Sequence, residues 1–175
     1  MPRRMDGRFL THSALLTAAG ILLPAIFHAF GVAGKIFLPM HFPVIIAGMM
    51  LGPLGGLIVG GLSPSLSALL TGMPPFPMAV LMIPELMIYG LASGVLYRNL
   101  RLNIFVALII SMALGRIALG VSAWALAGVL GLHAGPVKFV VAGVATGLPG
   151  IVAQIVLIPV IVRRLTPGHG FPPAP

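Results

Sequence analysis

An all-α integral membrane protein is the fold class that this sequence predicts, on three observations. Hydrophobic residues make up 59% of the 175-residue chain and charged residues only 7%, where a soluble domain carries about 25% charged residues. The apolar stretches recur at close to the roughly 20 residues that a spanning helix needs. Nearly all the Lys and Arg residues sit at the ends of those stretches, where membrane topology places them. The expected organisation is a basic N-terminal tail over residues 1–8, a six-helix membrane domain over 9–164 and a disordered C-terminal tail over 165–175.

Each element follows from its apolar run and the breakers that bound it. The first helix is Phe9–Ala29. Arg3, Arg4 and Arg8 before it resemble the start of a secretory signal, but the run is almost spanning length and no A-x-A site closes it, so a retained helix is expected. A loop with Gly31, Gly34 and Lys35 ends at Leu38-Pro39. The second apolar piece, His41–Leu51, is short and stops at Gly52-Pro53, and the third runs Leu54–Leu70. Pro74, Pro75 and Pro77 keep Thr71–Pro77 from being helical throughout. The fourth helix is Met78–Leu96, followed by the polar link Arg98–Leu102; the fifth is Asn103–Leu130. A Gly/Pro turn over Gly131–Pro136 leads to the sixth, Val137–Val162.

Charge parity decides whether Gly52-Pro53 is a real turn. With six spans, Arg3, Arg4, Arg8, Arg98, Arg101, Arg163 and Arg164 share one side, against Lys35 and Lys138 on the other, which is seven against two. The positive-inside rule then makes both termini cytoplasmic. Merging the second and third pieces would move Arg98 and Arg101 away from the N-terminus and destroy the asymmetry.

Small residues recur at spacing four: Ala14 and Ala18, Gly48 and Gly52, Gly56 and Gly60, Gly90 and Gly94, Gly143 and Gly147. Such pairs allow close helix approach, chiefly inside the bundle. The first helix carries few other features, so Ala14 and Ala18 are candidates for facing a partner subunit.

Only Glu85 and Arg116 are charged well inside apolar spans, and each costs about 2.5–3.5 kcal/mol there on insertion scales. Adjacent antiparallel helices would bring them into pairing reach, either as a lock on the bundle or as the polar floor of a ligand cavity. Pro84 disturbs the helix beside Glu85 and frees the carbonyl of Val80. Tyr89 is one turn from Glu85 on the same face. Trp124 is a belt residue or a stacking wall, and Gln154 a bond between helices. His28, His41, His133 and Lys138 fall at the outer ends of helices; of these His41, between Pro39 and Pro43, and Lys138 join the candidate substrate contacts.

Several function classes are excluded or weakened. A chain without Cys has no disulfide, thiolate site or Cys nucleophile. No two His residues have i,i+4 spacing, so no metal site is expected. The chain lacks G-x-x-x-x-G-K-[ST], G-x-S-x-G and H-E-x-x-H. Asp6 and Glu85 are the only acids, which excludes a paired-carboxylate enzyme. The net charge of +8 reflects topology, since the Lys/Arg clusters among polar and aromatic residues of a nucleic-acid binder are missing. A stand-alone proton-coupled carrier using Glu85 stays open as an alternative.

The ordered series Leu38-Pro39-Met40-His41-Phe42-Pro43, Gly52-Pro53, Gly56-Leu57, Ser63-Pro64 and Thr71-Gly72-Met73-Pro74-Pro75 resembles the substrate-binding S components of energy-coupling factor (ECF) transporters. Glu85-Leu86 with Tyr89-Gly90, Gly115-Arg116, Leu148-Pro149-Gly150, Gln154 and Pro159 extend the resemblance over residues 10–164. It implies a non-enzymatic subunit that captures a vitamin or its precursor from outside, while a transmembrane scaffold subunit and two ATPase subunits use the ATP. It implies that Ala14 and Ala18 dock the scaffold. It also implies that loops Gly31–Met40 and Thr71–Pro77 close the site, with Pro39, Met40, Met73, Pro74 and Pro75 as gate residues. The substrate expectation is a carboxylate- or amide-bearing compound such as pantothenate, or a folate, cobalamin-precursor or pyridoxine-like ring, in a prokaryotic cell membrane.

Overall fold

A computed structural model describes residues 6–29, 31, 36–131 and 135–165. Expectations about Arg3, Arg4, Lys35, His133, the side chain of His28 and the tail beyond Leu165 lie outside the described residues. The elements are α1 (Gly7–Ala29), α2 (His41–Leu51), α3 (Pro53–Thr71), α4 (Met78–Gly94), α5 (Ile104–Ala125) and α6 (Pro136–Leu165). A π-helical segment, Val95–Asn99, prolongs α4, and one separate turn, Ala127–Leu130, follows α5.

The helix starts are capped by the few polar residues available. The Asp6 carboxylate accepts from the Phe9 amide at 2.9 Å, and the Asn103 side chain accepts from the Phe105 amide at 2.9 Å. These bonds satisfy amides that an apolar helix end cannot. The fifth helix is shorter than the expected Asn103–Leu130. Leu126 leaves helical geometry (φ −101°, ψ 4°) within an Ala-Leu-Ala-Gly run that offers few bulky side chains to hold it.

Among the described residues five helices are long and apolar enough to cross a membrane: α1, α3, α4 with its π extension, α5 and α6. The protein is a multi-pass membrane bundle. With 11 residues, α2 is about 16 Å long, roughly half the hydrocarbon thickness. Even so, the turn at Gly52 is real. Gly52 has φ 92°, a left-handed conformation open to glycine and strained for other residues. The chain reverses there: a Cβ on Gly20 of α1 would meet both Pro43 of α2 and Ser63 of α3, so these two residues lie level on either side of the turn.

Glycines weld α2, α3 and α4 together. A Cβ on Gly56 would collide with the Gly90 backbone, and one on Gly90 with the Gly56 backbone. A Cβ on Gly48 would strike the Gly90 carbonyl and Ser93, and one on Gly60 the Leu86 carbonyl. Contact at this range replaces hydrophobic driving force with van der Waals packing, which is what helix association in lipid depends on. Ser93 Oγ donates within reach of the carbonyls of Gly90 (3.0 Å) and Ile45 (3.3 Å), adding a bond across α4 and α2.

The helix-flanking arginines gather at one end. Arg8 lines a small cleft with Met50 and Leu51. The Arg98 side chain donates to the Met50 carbonyl and packs beside Gly52. Helix α6 runs antiparallel to α5, with Gly143 and Gly147 beside Arg116 and Val140 beside Gly120, which carries Arg163 and Arg164 to the same end. This gathering requires the reversal at Gly52.

The glycine seam makes a direct prediction. Gly56→Ala or Gly90→Ala must force backbones apart and should cost about 1–3 kcal/mol or more. Gly61→Ala, whose new methyl would meet only the Met87 side chain at 3.5 Å, should be close to neutral. Thermal unfolding of the purified protein in detergent checks the contrast; equal behaviour of the three variants would refute the seam.

Candidate functional site

The polar centre of the bundle forms where α2, α4 and α5 meet. Glu85 is 2% exposed, and its Oε1 accepts a 2.9 Å bond from Arg116 Nη1. The helix geometry makes this pairing natural. Glu85 lies seven residues into α4 and Arg116 nine residues from the end of α5, so both sit roughly 10–14 Å in from the end opposite the arginines. In a low dielectric each charge needs a partner, and among the described residues no other Lys, Arg, Asp or Glu lies well inside an apolar span.

His41 completes the cluster and corrects an expectation. Placed by sequence at an outer helix end, it is 2% exposed, with Nε2 3.7 Å from Glu85 Oε1 and its ring edge-on to Tyr89 at 5.0 Å. The cause is the half-length of α2, which starts the helix at the level of Glu85 rather than at the surface. Its first amide bonds the Leu38 carbonyl at 3.1 Å. Leu38 has φ 51°, a left-handed conformation that costs a branched residue about 1–2 kcal/mol.

Tyr89 is buried under α5, where Gly115 leaves room for its ring. It lies within electrostatic reach of both Arg116 and Glu85. The guanidinium of Arg116 in turn lies beside Gly143 and Gly147 of α6, whose missing side chains make space for it. Leu38 covers Gly147, and the backbone of Ile36 and Phe37 covers Gly150. The described part of the first loop thus covers α6 at Gly147 and Gly150, and Pro39 and Met40 that follow are buried.

The cluster is short of acceptors. Both ring nitrogens of His41, and Nε and Nη2 of Arg116, are buried without a hydrogen-bond partner among the described residues. The same holds for Nε2 of Gln154, which is 1% exposed. An open apolar cleft of about 440 Å³ borders Arg116 between α5 and α6, walled by Val121, Trp124, Val137, Val140 and Val141. Among the described residues no group of three metal-binding side chains occurs.

The other sequence candidates fall outside this centre. Lys138 is exposed near the start of α6, and none of the described contacts of the cluster involves it. Trp124 is 71% exposed and joins the site only as a cleft wall. The second loop is tied to α3: Ser67 donates to the Met73 carbonyl at 2.7 Å, and the Met73 amide donates to Thr71 Oγ1 at 3.2 Å. Met73 and Pro75 are exposed and Pro74 half-buried. Ala14 and Ala18 lie on the exposed face of α1, opposite buried Ser13, Thr17 and Gly20. The glycines that frame Arg116 were legible only as a packing pair; nothing in the spacing of Gly143 and Gly147 signals a guanidinium.

With this geometry in place, the comparison with known families is decisive. The family model for the substrate-specific component of ECF transporters matches residues 8–162. The chain belongs to this family. Neither curated proteins nor solved structures give a significant match. As an S component the chain is the substrate-specific membrane subunit of a transporter.

The pair itself can be tested. Glu85→Gln and Arg116→Gln each strand a buried charge, and each should cost about 3–5 kcal/mol. The double variant should be markedly more stable than the sum of the singles predicts. Additive losses in detergent unfolding would show that the two residues do not act as a pair.

Proposed function

We propose that this S component captures a vitamin or vitamin precursor from outside a prokaryotic cell and presents it to a transmembrane scaffold subunit powered by two ATPase subunits. On this reading the chain is not an enzyme and binds no cofactor of its own; its partners use the ATP. The observation that carries the reading is the sealed polar cluster of His41, Glu85, Tyr89 and Arg116, with donors left over, set at mid-depth beneath a covering loop. A structural lock alone needs only the Glu85–Arg116 bond. The surplus donors call for a ligand with acceptor groups. Residues 36–40 and the loop of Met73, Pro74 and Pro75 serve as gates, both lying at the end away from the arginines. Lys138 attracts acidic substrates at the surface, and the bare face around Ala14 and Ala18 receives the scaffold.

Two measurements test this. Purified protein, screened against B vitamins and their precursors, should show a raised melting temperature with at least one compound; a flat panel would sink the proposal. Ala14→Trp and Ala18→Trp should keep that binding while losing co-purification with the scaffold. Uptake by the chain alone, driven by a pH gradient and abolished in Glu85→Gln, would establish the proton-coupled carrier instead.

A further inference from the structure

Which substrate chemistry fits follows from how Arg116 is used. Its guanidinium has two faces for planar recognition. Nη1 is committed to Glu85 at 2.9 Å. The side-on edge formed by Nε and Nη2 is buried and unpartnered among the described residues. That edge presents two parallel N–H donors, the fork that a carboxylate accepts with both oxygens. It lies beside Gly147, 3.6 Å from where a Cβ there would be, under the Leu38 side chain. Leaving a buried donor unmet costs about 1–3 kcal/mol, more for a charged group.

The surroundings define the rest of the ligand. The cleft that borders Arg116 holds about 440 Å³ and is walled by valines and by Trp124. Among the described residues Arg116, already paired with Glu85, is the one cation that lines it, so it suits a ligand with no more than one acid group on an apolar body. We infer that the substrate is a monocarboxylate whose acid group docks on the Nε/Nη2 edge of Arg116 and whose apolar body lies in the α5–α6 cleft against Trp124. Leu38 must lift from Gly147 for the acid to reach the edge. The inference rests on the proposed substrate-binding function and narrows it to one chemical class.

The test uses matched acid and neutral pairs on the intact protein: biotin and biotinamide, lipoate and lipoamide, nicotinate and nicotinamide, pantothenate and panthenol. Dodecanoate represents a membrane-derived acid, and thiamine and pyridoxamine represent cations. Trp124 is the only Trp in the chain, so its emission reports on the cleft directly. At least one acid should bind tenfold or more tighter than its neutral partner and shift that emission. Arg116→Lys keeps the charge but loses the fork, and should reduce the preference tenfold or more. Val141→Trp fills the exposed side of the cleft without touching the polar cluster, and should abolish acid binding in a folded protein. Tight binding by dodecanoate alone would assign the site to a lipid-derived acid, and by the small acids alone to a water-soluble one. Equal binding of acids and amides, binding only by cations, or acid binding with unchanged Trp124 emission would each overturn the inference while leaving the proposed function standing. Failure of every compound would overturn both.

Discussion

The bond between Glu85 and Arg116 is the constraint on which the interior depends. Neither charge can be left alone in hydrocarbon. Their pairing therefore fixes α4 against α5 at one register, and everything polar in the bundle is arranged around that register. Tyr89 fits one turn below because Gly115 yields space on the facing helix, and α6 approaches the guanidinium through Gly143 and Gly147. A single bond to Glu85, however, leaves Nε and Nη2 of the guanidinium buried without a hydrogen-bond partner among the described residues. The pair explains how the helices are held, and its incompleteness is what the proposed ligand would complete.

The second constraint is the half-length of α2. A full spanning helix would have carried His41 to the surface. An 11-residue helix welded by Gly48 to α4 starts at the level of Glu85 instead. The chain leading into it must then descend into the bundle, and it does so through Leu38 in a left-handed conformation and through buried Pro39 and Met40. Irregular backbone at membrane depth is tolerable only where protein buries it or a cavity receives it. Here protein buries it, since the descending segment lies against Gly147 and Gly150 of α6 and leads into buried Pro39, Met40 and His41.

Much of this was legible in the residues, for identifiable reasons. The reversal at Gly52 has no polar residue to announce it, yet the positions of Arg98, Arg101, Arg163 and Arg164 demand it, because charge sidedness is a global constraint that one turn can satisfy or break. Glu85 and Arg116 were legible as a pair because two lone charges in adjacent apolar helices have no other partner. The depth of His41 was not legible. It depends on how far a short helix is pulled along its neighbours, and that is decided by glycine contacts distant in sequence. The end of α5 was also hidden, since the run through Leu130 stays apolar and Leu126 breaks the helix with no Pro to mark it. Lys138 and Trp124 read alike in sequence as outer polar or amphipathic groups, but only Trp124 borders a cleft that reaches Arg116.

These constraints divide the bundle into two unequal parts. On one side α2, α3 and α4 meet backbone to backbone, with no side chain between them at Gly56 and Gly90 that could move aside. On the other, α5 and α6 are separated by a cleft, and the contacts over Gly147 and Gly150 come from a loop rather than a helix. Local opening follows the weaker packing. A site whose anchor is fixed by α4 and α5 but whose cover rests on α6 and residues 36–38 can admit a molecule without disturbing the glycine seam. The donor edge of Arg116 lies beside Gly147 under Leu38, so under the proposed function lifting the loop and exposing that edge are one motion.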